Sequence, residues 1–314
     1  MLIACDREIP YNGEYQNPQL AIEAHLEEGS YEISGSLIHS TFFTNNVRDK
    51  RDRWLSGNVT FFVQRDNNEE ISYRPKLDSG VIFQKYEFSI PLSEPLRVGE
   101  KVRVKASHQG YPSVEGSDVI VAKPQVMCIE SVLDSANYLY HFILKFGENA
   151  NIAGMIGISG VFNYWTRPEK ANAHQSTSFI TSTDNCFAGT ENAFSTEYGF
   201  NSRKDLFCRI ENIRNREVEI VMPLNKLTKV NYDLMEDITL KVTCYSEDSY
   251  RYRRSLLAYY GINGESDNTY EMDSFFGDVF GVEETVQVYS NVENGIGIVH
   301  SHSATIFQKI FIEE

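Results

Sequence analysis

This 314-residue sequence lacks the excess of basic residues that nucleic-acid-binding proteins carry. It contains 29 Lys and Arg residues against 44 Asp and Glu residues, which gives a formal net charge of −15. A protein that binds DNA or RNA displaces phosphate counterions with clustered cations, and no basic stripe is present here to do so. The same deficit argues against direct docking of the protein surface on anionic lipid. The composition therefore predicts no nucleic-acid partner.

Signatures of membrane-spanning proteins and of common enzymes are also missing. No apolar run approaches the roughly 20 residues that a membrane-spanning helix needs. The sequence has no Gly-x-Ser-x-Gly motif, and the glycines from Gly154 to Gly160 are not followed by the Lys-Ser/Thr pair of a phosphate loop. Glu283 and Glu284 are adjacent, so in a strand they point to opposite faces and cannot share acid/base work. We therefore expect no catalytic residues, and we expect that the chain is not an enzyme.

Cysteine is scarce, and no Cys-x-x-Cys pair occurs among its five positions, which are Cys5, Cys128, Cys186, Cys208 and Cys244. A zinc ribbon is therefore not indicated. Cys186 and Cys208 could form a disulfide bond in an oxidising envelope, and two reduced, partly buried thiols are an equal alternative. The odd count leaves at least one cysteine without a partner in the same chain, and Cys5 stands apart from the others.

Two histidines near the C-terminus raise the question of a metal site. His300 and His302 are two residues apart, so they share one face of a strand and could supply two metal ligands. No third ligand is close to them in the sequence, and polar residues on exposed strand faces are common. We therefore predict no metal and no cofactor.

The first residues indicate a lipid anchor. Leu2-Ile3-Ala4-Cys5 resembles a bacterial lipobox, in which apolar residues and a small residue precede the cysteine that is lipidated. The apolar signal segment of such proteins does not precede it here, so this interpretation implies a trimmed start, and a chance occurrence is the alternative. Two or more acyl chains would anchor a protein stably. We predict residues 1–18 as anchor and tether, with lipidation at Cys5 as the only attachment to the membrane.

Residues 19–123 are predicted to form an immunoglobulin-like β-sandwich. About seven short segments of alternating apolar and polar residues lie between turns, a density typical of that fold. Val102 and Val104 alternate with charged residues and are expected on a buried face. The segment 122–127 is the best linker candidate, because Pro124 cannot donate to a strand ladder and favours an extended Lys123. We place the domain boundary between these two residues.

Residues 124–314 are predicted to form a second β-rich domain with one amphipathic helix, so that the chain is mainly all-β with two β-sandwich domains. Ser246 is expected to cap a helix near 246–260, with Glu247 and Asp248 at its positive end and Gly261 as its stop. The polar segment 166–210 has no clear pattern and could carry a binding surface or lid. Further strands are predicted at 138–146, 154–165 with bulges, 216–222, 237–245 and 305–312.

The block 286–298 is predicted to form a strand, a tight turn at Asn294-Gly295 and another strand. Asn294 suits a turn that needs positive φ, and the side chains of Ser290 and Asn291 could bond to the backbone beside it. A structural role is one interpretation of the block, and contact with a ligand or partner through Tyr289, Asn291 and Asn294 is the other.

An aromatic pair is a second candidate for ligand contact. Tyr164 and Trp165 lie next to the polar segment 166–210 and could stack on a sugar ring. The alternative is that both side chains pack in the core, as aromatic residues usually do.

The motifs together carry a resemblance to a known family. The segment 250–255 resembles the element Y-x-Y-x-x-S, and 287–297 resembles the block v-y-S-N-v-e-N-G-l-G of the Bacteroidota "domain of unknown function 4249" family. The transition from Gly110-Tyr111 to 121–124 resembles the end of the N-terminal domain of this family. The resemblance covers almost all of the chain. It implies an exported outer-membrane lipoprotein with an immunoglobulin-like N-terminal domain, and it supplies no catalytic residues.

Members of this family often accompany TonB-dependent transporters, which gives an expected function by analogy. We expect a non-enzymatic envelope lipoprotein of the outer membrane, facing the periplasm or the cell surface, that binds a transporter or its cargo. The alternatives are a secreted hydrolase acting on glycans or peptides, and a structural or adhesive surface protein.

Overall fold

The computed structural model describes residues 19–39, 55–56, 59–66, 70–75, 82–83, 86–137, 139–148, 154–165, 173–178, 180–187, 205–223, 235–263 and 288–310. These residues form seventeen strands, two α-helices and one 3-10 turn, which confirms the all-β prediction.

Strands β1 to β9 occupy the first part of the described chain, and β10 to β17 the second. In chain order they are β1 (Leu20–Leu26), β2 (Glu32–His39), β3 (Leu55–Ser56), β4 (Val59–Arg65), β5 (Glu70–Tyr73), β6 (Ile82–Phe83), β7 (Tyr86–Pro91), β8 (Lys101–His108), β9 (Val114–Val119), β10 (Val126–Asp134), β11 (Leu139–Phe146), β12 (Met155–Trp165), β13 (Ala173–Ser178), β14 (Asp205–Arg209), β15 (Glu217–Pro223), β16 (Met235–Tyr245) and β17 (Ile296–Ile310). The helices are α1 (Ile210–Ile213) and α2 (Glu247–Asn263), and the 3-10 turn is Asn185–Phe187.

One large sheet runs through both halves of the described chain. Its strand order is β13-β12-β16-β17-β1-β2-β7, with β14 also paired to β12. The last strand, β17, joins the two halves of this sheet. Its residues Ile296 to Ser301 pair in parallel with β1, and His302 to Ile310 pair antiparallel with β16. The first and the last described strands therefore lie side by side.

Two smaller sheets cover the large sheet and complete two sandwiches. The sheet β5-β4-β8-β9 covers the N-terminal half, where Phe61 of β4 packs on Phe88 of β7 with ring centroids 4.3 Å apart. The sheet β10-β11-β15 covers the other half, where Phe142 and Ile220 share a cluster with Ile158. The hydrophobic cluster of the N-terminal sandwich contains buried residues up to Ile120 and also Val299 of β17. The cluster of the other sandwich begins at Val121.

The sandwiches follow from the period of two in the sequence. In β1 every second residue is buried, from Leu20 to Leu26, and the residues between them face outward. Val102 and Val104 are fully buried, as predicted. The predicted face of β16, which carries Ile238, Leu240, Val242 and Cys244, is also fully buried. Each such side chain contributes about 1.5–3 kcal/mol when it leaves water.

The predicted linker is an extended segment that lies against β17. Between β9 and β10 it is held by hydroxyl groups at alternate positions of that strand. The Val121 N–H donates to Ser301 Oγ at 3.0 Å, Ser303 Oγ donates to the Val121 carbonyl at 2.9 Å, and Thr305 Oγ1 donates to the Pro124 carbonyl at 3.2 Å. β17 belongs to both sandwiches. The domain boundary predicted between Lys123 and Pro124 therefore stays a prediction.

Three local predictions are corrected by the structure. The strand predicted after the Asn294-Gly295 turn and the strand predicted at 305–312 are one strand, β17. Buried Ser301 and Ser303 lie between them and hide its continuity, because they interrupt the apolar pattern. Residues 288–292 form no regular strand, so the predicted hairpin lacks its first arm in the described chain. Helix α2 continues through Gly261 to Asn263, since glycine costs a helix only about 1 kcal/mol relative to alanine.

Several other predictions have a direct structural outcome. Helix α2 forms close to its predicted place, and the four-residue α1 was not predicted. Cys186 and Cys208 are both buried free thiols. Within the part of the chain that the structure describes, no helix combines the length and apolar character needed to cross a membrane.

Candidate functional site

The start of helix α2 is fixed to the large sheet by a short polar network. Ser246 caps the helix as predicted, because its Oγ accepts a hydrogen bond from the Ser249 N–H at 3.0 Å. The same hydroxyl donates to the Asp118 carboxylate at the end of β9. Asp118 also accepts the Ser301 N–H at 2.7 Å, and Ser246 N–H donates to the Ser301 carbonyl at 3.1 Å. The helix start, β9 and β17 therefore form one unit.

Asp118 is the carboxylate at the centre of this network. Burial raises the pKa of Asp118 from 3.8 to about 6, and the nearby charge of Asp248 adds to the increase. Hydrogen bonds from Ser246, Ser301 and Val119 act in the opposite direction, because they stabilise the charged form. The carboxylate therefore changes charge closer to neutral pH than an exposed aspartate does.

The residues before β17 attach helix α2 to the N-terminal sandwich. The Tyr289 hydroxyl donates to Asp248 Oδ1 at 2.6 Å, and its N–H donates to Ser255 Oγ at 2.8 Å. The Asn291 amide donates to the Val299 carbonyl at 2.8 Å and to the Ser117 carbonyl at 3.2 Å. These contacts support the structural interpretation of the block.

The turn into β17 depends on two special backbone positions. Asn294 has a φ of 59°, the left-handed conformation predicted for it. Gly297 has a φ of 118°, and a Cβ at this position would lie 1.8 Å from the Ile22 carbonyl oxygen of β1. Close approach of β1 to β17 therefore requires glycine here.

This close pairing brings three histidines together on the outer face of the large sheet. The parallel register of β1 and β17 places His25 opposite His300, and His302 follows two residues later on the same face of β17. The ring centroid of His25 lies 4.8 Å from that of His300 and 5.8 Å from that of His302. The ring centroids of His300 and His302 are 5.2 Å apart.

The histidine cluster offers three nitrogen atoms to one point. One ring nitrogen from each of His25, His300 and His302 lies within 4.8 Å of the other two. His300 is only 8% exposed, and its Nδ1 lies 3.0 Å from Ser249 Oγ in the first turn of α2. Among the described residues, His300 Nε2 and His302 Nδ1 are buried and have no hydrogen-bond partner. Two imidazole nitrogens are thus available to a ligand.

The rings of His300 and His302 are neutral under ordinary conditions. Burial, and then the neighbouring His25, lower the pKa of His300 to about 2 and the pKa of His302 to about 4. A neutral imidazole carries one lone pair that can accept a hydrogen bond or bind a metal ion.

A polar cavity of about 480 Å³ surrounds the cluster, and we call it the histidine pocket. Its walls come from β1, β2 and the turn between them, from β16 and β17, and from the first turns of α2. Three carboxylates and two cations line it, so its charge is mixed with an excess of acid. The lining residues are Glu23, His25, Glu27, Ser30, Glu32, Ser34, Lys241, Tyr245, Ser249, Tyr252, Arg253, His300 and His302.

Among the residues that the structure describes, the serine and histidine groups of the pocket do not form a hydrolase triad. Ser249 Oγ is within reach of His300, but Asp118 accepts its hydrogen bonds from Ser246 and Ser301 instead of orienting the imidazole. A catalytic triad needs a third group that orients the base.

The remaining predicted contact residues lie elsewhere. Tyr164 and Trp165 are at the end of β12, where Tyr164 pairs with His174 and Met235, and their side chains are outside the described part of the structure. Lys241, the lining residue of the pocket on β16 nearest to Met235, is six residues along that strand, or about 20 Å at the usual rise of a strand, so Tyr164 does not lie at the pocket. Cys5 lies outside the described residues.

Sequence reasoning missed His25, the third member of the cluster. The available signal was its outward position in β1, between buried Ala24 and Leu26. That signal gives its face but not its neighbour, because the pairing partner is 275 residues away in the chain.

Comparison with known proteins identifies one family and several distant structures. The sequence model of the family described as "Domain of unknown function (DUF4249)" matches residues 6–307. None of the curated proteins matches this sequence.

Several solved structures are similar to this chain at low sequence identity. A DUF4785 family protein from Legionella pneumophila is 10% identical over 70% of this chain, with a TM-score of 0.24, and the match covers 51% of that protein. A pullulanase from Anoxybacillus sp. LM18-11, solved with maltotriose, is 9% identical over 72% of this chain and 24% of its own, with a TM-score of 0.20. The CBD12 structure from CALX1.2 is 10% identical over 82% of this chain and 92% of its own, with a TM-score of 0.20. This chain therefore spans about half the length of the Legionella protein.

Proposed function

Since this chain belongs to the DUF4249 family, we propose that it is a non-enzymatic lipoprotein of the Bacteroidota cell envelope that binds an outer-membrane transporter or the cargo of that transporter. The observation that carries the proposal is the histidine pocket, a polar cavity of about 480 Å³ on the outer face of the large sheet. Concave sites with a few fixed polar groups are the usual places where proteins bind ligands.

The hydrogen bonds around the pocket support binding rather than catalysis. Asp118, Ser246 and Ser249 are engaged with one another or with backbone groups at the start of α2. Preorganised polar groups of this kind hold the walls of a site in place. Within the described part of the chain, Ser249 and His300 contact each other, and no carboxylate is hydrogen-bonded to them to activate them as a nucleophile and base.

The proposed location is the outer membrane, with attachment through a lipid on Cys5. The motif Leu2-Ile3-Ala4-Cys5 supports this assignment, and the net charge of −15 argues against a second attachment through anionic lipid. The test is fractionation of cells that express this protein behind a lipoprotein signal peptide. Wild type should be recovered with the outer membrane, and Cys5→Ala should leave the membrane fraction. Equal membrane recovery of both proteins would overturn the lipid anchor.

The binding function is tested by recovery of partners from detergent-solubilised membranes, followed by mass spectrometry. We expect stoichiometric recovery of a TonB-dependent transporter with the acylated wild-type protein. Glu27→Lys reverses an exposed charge at the rim of the pocket and should reduce this recovery. Glu130→Lys makes the same change in charge on exposed β10, outside the pocket, and should behave as wild type.

Recovery of the protein alone would contradict the transporter proposal. Glycan and peptide arrays would then test the other two functions, a secreted hydrolase and an adhesive surface protein. Cleavage of an array member would favour the hydrolase, and binding without cleavage would favour the adhesive protein.

A further inference from the structure

Three imidazole rings converge in the histidine pocket from both ends of the described chain. His25 comes from the first strand, and His300 and His302 come from the last. Histidines on neighbouring strands can also pack as buried neutral rings, so convergence alone does not define a function. The positions of the nitrogen atoms distinguish a metal-binding site from a simple packing of neutral rings.

The separation of the nitrogen atoms suits a single metal ion. One nitrogen of each ring lies within 4.8 Å of the other two, so a point between them is at most about 2.8 Å from each. Zinc binds imidazole nitrogen at roughly 2.0–2.1 Å, and side-chain shifts of less than about 1 Å would close the remaining gap.

Ser249 orients the central ring in the manner of an outer-shell partner. Its Oγ lies 3.0 Å from His300 Nδ1, and an Nδ1–H that donates to this hydroxyl leaves the lone pair on Nε2. Only 8% of His300 is exposed, and Nε2 has no hydrogen-bond partner among the residues that the structure describes. Metal-binding histidines usually donate their second ring N–H in this way.

We propose that His25, His300 and His302 form a binding site for one transition metal ion, with a fourth position open to the histidine pocket. A set of three imidazoles favours zinc, copper or nickel over calcium and magnesium, which prefer oxygen ligands. The open position would accept water or a donor group of a bound molecule, as in other sites with three protein ligands.

The charges around the site are compatible with a bound cation. Glu23, Glu27 and Glu32 line the same pocket and outnumber Lys241 and Arg253. Glu23 and His25 are two residues apart in β1, so they share its outward face. The site stands on geometry within this chain, whether or not the protein binds a transporter.

The test is zinc binding to the full chain after removal of metal with a chelator. Isothermal titration calorimetry of the folded wild type should show one zinc ion bound per chain at micromolar concentrations. His25→Gln and His302→Gln should each weaken binding at least about tenfold, because a removed ligand should cost no less than a removed outer-shell partner. Ser249→Ala should weaken binding by about 10–100-fold.

His141→Gln is the matched control. His141 is partly exposed on β11 and bonds Glu219 at 2.7 Å, so its loss should leave zinc affinity unchanged. The same zinc concentration should also raise the melting temperature of wild type and of His141→Gln, and it should raise that of His25→Gln less. Absence of zinc binding by folded wild type would overturn the proposal. Equal zinc binding by wild type and His25→Gln would overturn it as well, because the metal would then be held elsewhere.

Discussion

Asn291 pairs with Val299 as though the two residues lay on neighbouring strands. The Asn291 amide donates to the Val299 carbonyl at 2.8 Å, and the Val299 N–H donates to Asn291 Oδ1 at 3.0 Å. A side chain thus satisfies both backbone groups of a fully buried residue in β17. This explains why an asparagine occurs at this place in the block before the turn.

Replacing this side chain should destabilise the protein strongly. Asn291→Ala leaves two buried backbone groups of Val299 without partners, and each such group costs about 1–3 kcal/mol. We expect a loss of about 2–4 kcal/mol in the free energy of unfolding, measured by urea denaturation. Asn212→Ala, at an exposed position in α1, should change it by no more than about 0.5 kcal/mol. Equal effects of the two substitutions would refute this role of Asn291.

Gly297 allows β1 and β17 to approach each other. Gly297→Ala places a Cβ 1.8 Å from the Ile22 carbonyl oxygen and also strains a φ of 118°. Gly110→Ala is the matched control, because Gly110 has a φ of 94° and no atom lies within 4 Å of the position that its Cβ would take. The control should lose about 1–2 kcal/mol from backbone strain alone. Gly297→Ala should lose several kcal/mol more than the control, or fail to fold. Losses of similar size for the two variants would contradict the close contact between Gly297 and Ile22.

The pattern of alternating residues predicts most strands because it depends only on neighbours in the sequence. Residues 20–26 and 101–105 show it clearly, and both segments are strands. The pairing of β1 with β17 leaves no such local signal, since the two strands come from opposite ends of the described chain. The histidine pocket was missed for the same reason. His300 and His302 were visible as a pair, but the third ring joins them only through the register of two distant strands.

The length of β17 was underestimated because its buried face is polar at two positions. Ser301 and Ser303 are fully buried, and their hydroxyls bond to the backbone of Val121. A sequence pattern cannot distinguish such satisfied serines from exposed ones, because their partners lie 180 or more residues away.

Asp118 should give the folding stability a distinct dependence on pH. Its pKa is about 6 in the folded protein, against an ordinary value of 3.8. The folded state therefore keeps a proton that the unfolded state releases, so stability rises as the pH falls from about 7 toward about 4. The difference between the two pKa values corresponds to roughly 3 kcal/mol.

Asp118→Asn removes this titration. Urea denaturation should show wild type gaining about 2–3 kcal/mol relative to Asp118→Asn between about pH 7 and about pH 4. Glu130→Gln, at an exposed position on β10, should follow wild type across this range. A constant difference between wild type and Asp118→Asn would contradict the raised pKa of Asp118.

Arg65 and Glu100 form a buried ion pair in the N-terminal sandwich. Arg65 Nε and Nη2 lie 2.6 and 2.8 Å from the two carboxylate oxygens, and Nη1 donates to the Glu94 carbonyl at 2.9 Å. Removing one member of a buried pair leaves the other charge without compensation, which typically costs about 3–5 kcal/mol. We therefore expect Arg65→Ala to lower the free energy of unfolding by about 3–5 kcal/mol.

The exposed pair of Arg97 and Glu94 is the control for this prediction. Its nitrogen and oxygen atoms are 2.5 Å apart, but both side chains are more than half exposed. Arg97→Ala should cost no more than about 1 kcal/mol, because exposed ion pairs contribute little. Similar losses for Arg65→Ala and Arg97→Ala in urea denaturation would show that burial does not strengthen the Arg65 pair.

The most direct test of the histidine pocket as a binding site is a crystal structure of the zinc-treated protein, with anomalous data at the zinc absorption edge. We expect one anomalous peak among the rings of His25, His300 and His302, at roughly 2.0–2.1 Å from one nitrogen of each. A map without density there, with the three rings packed only against one another, would contradict it.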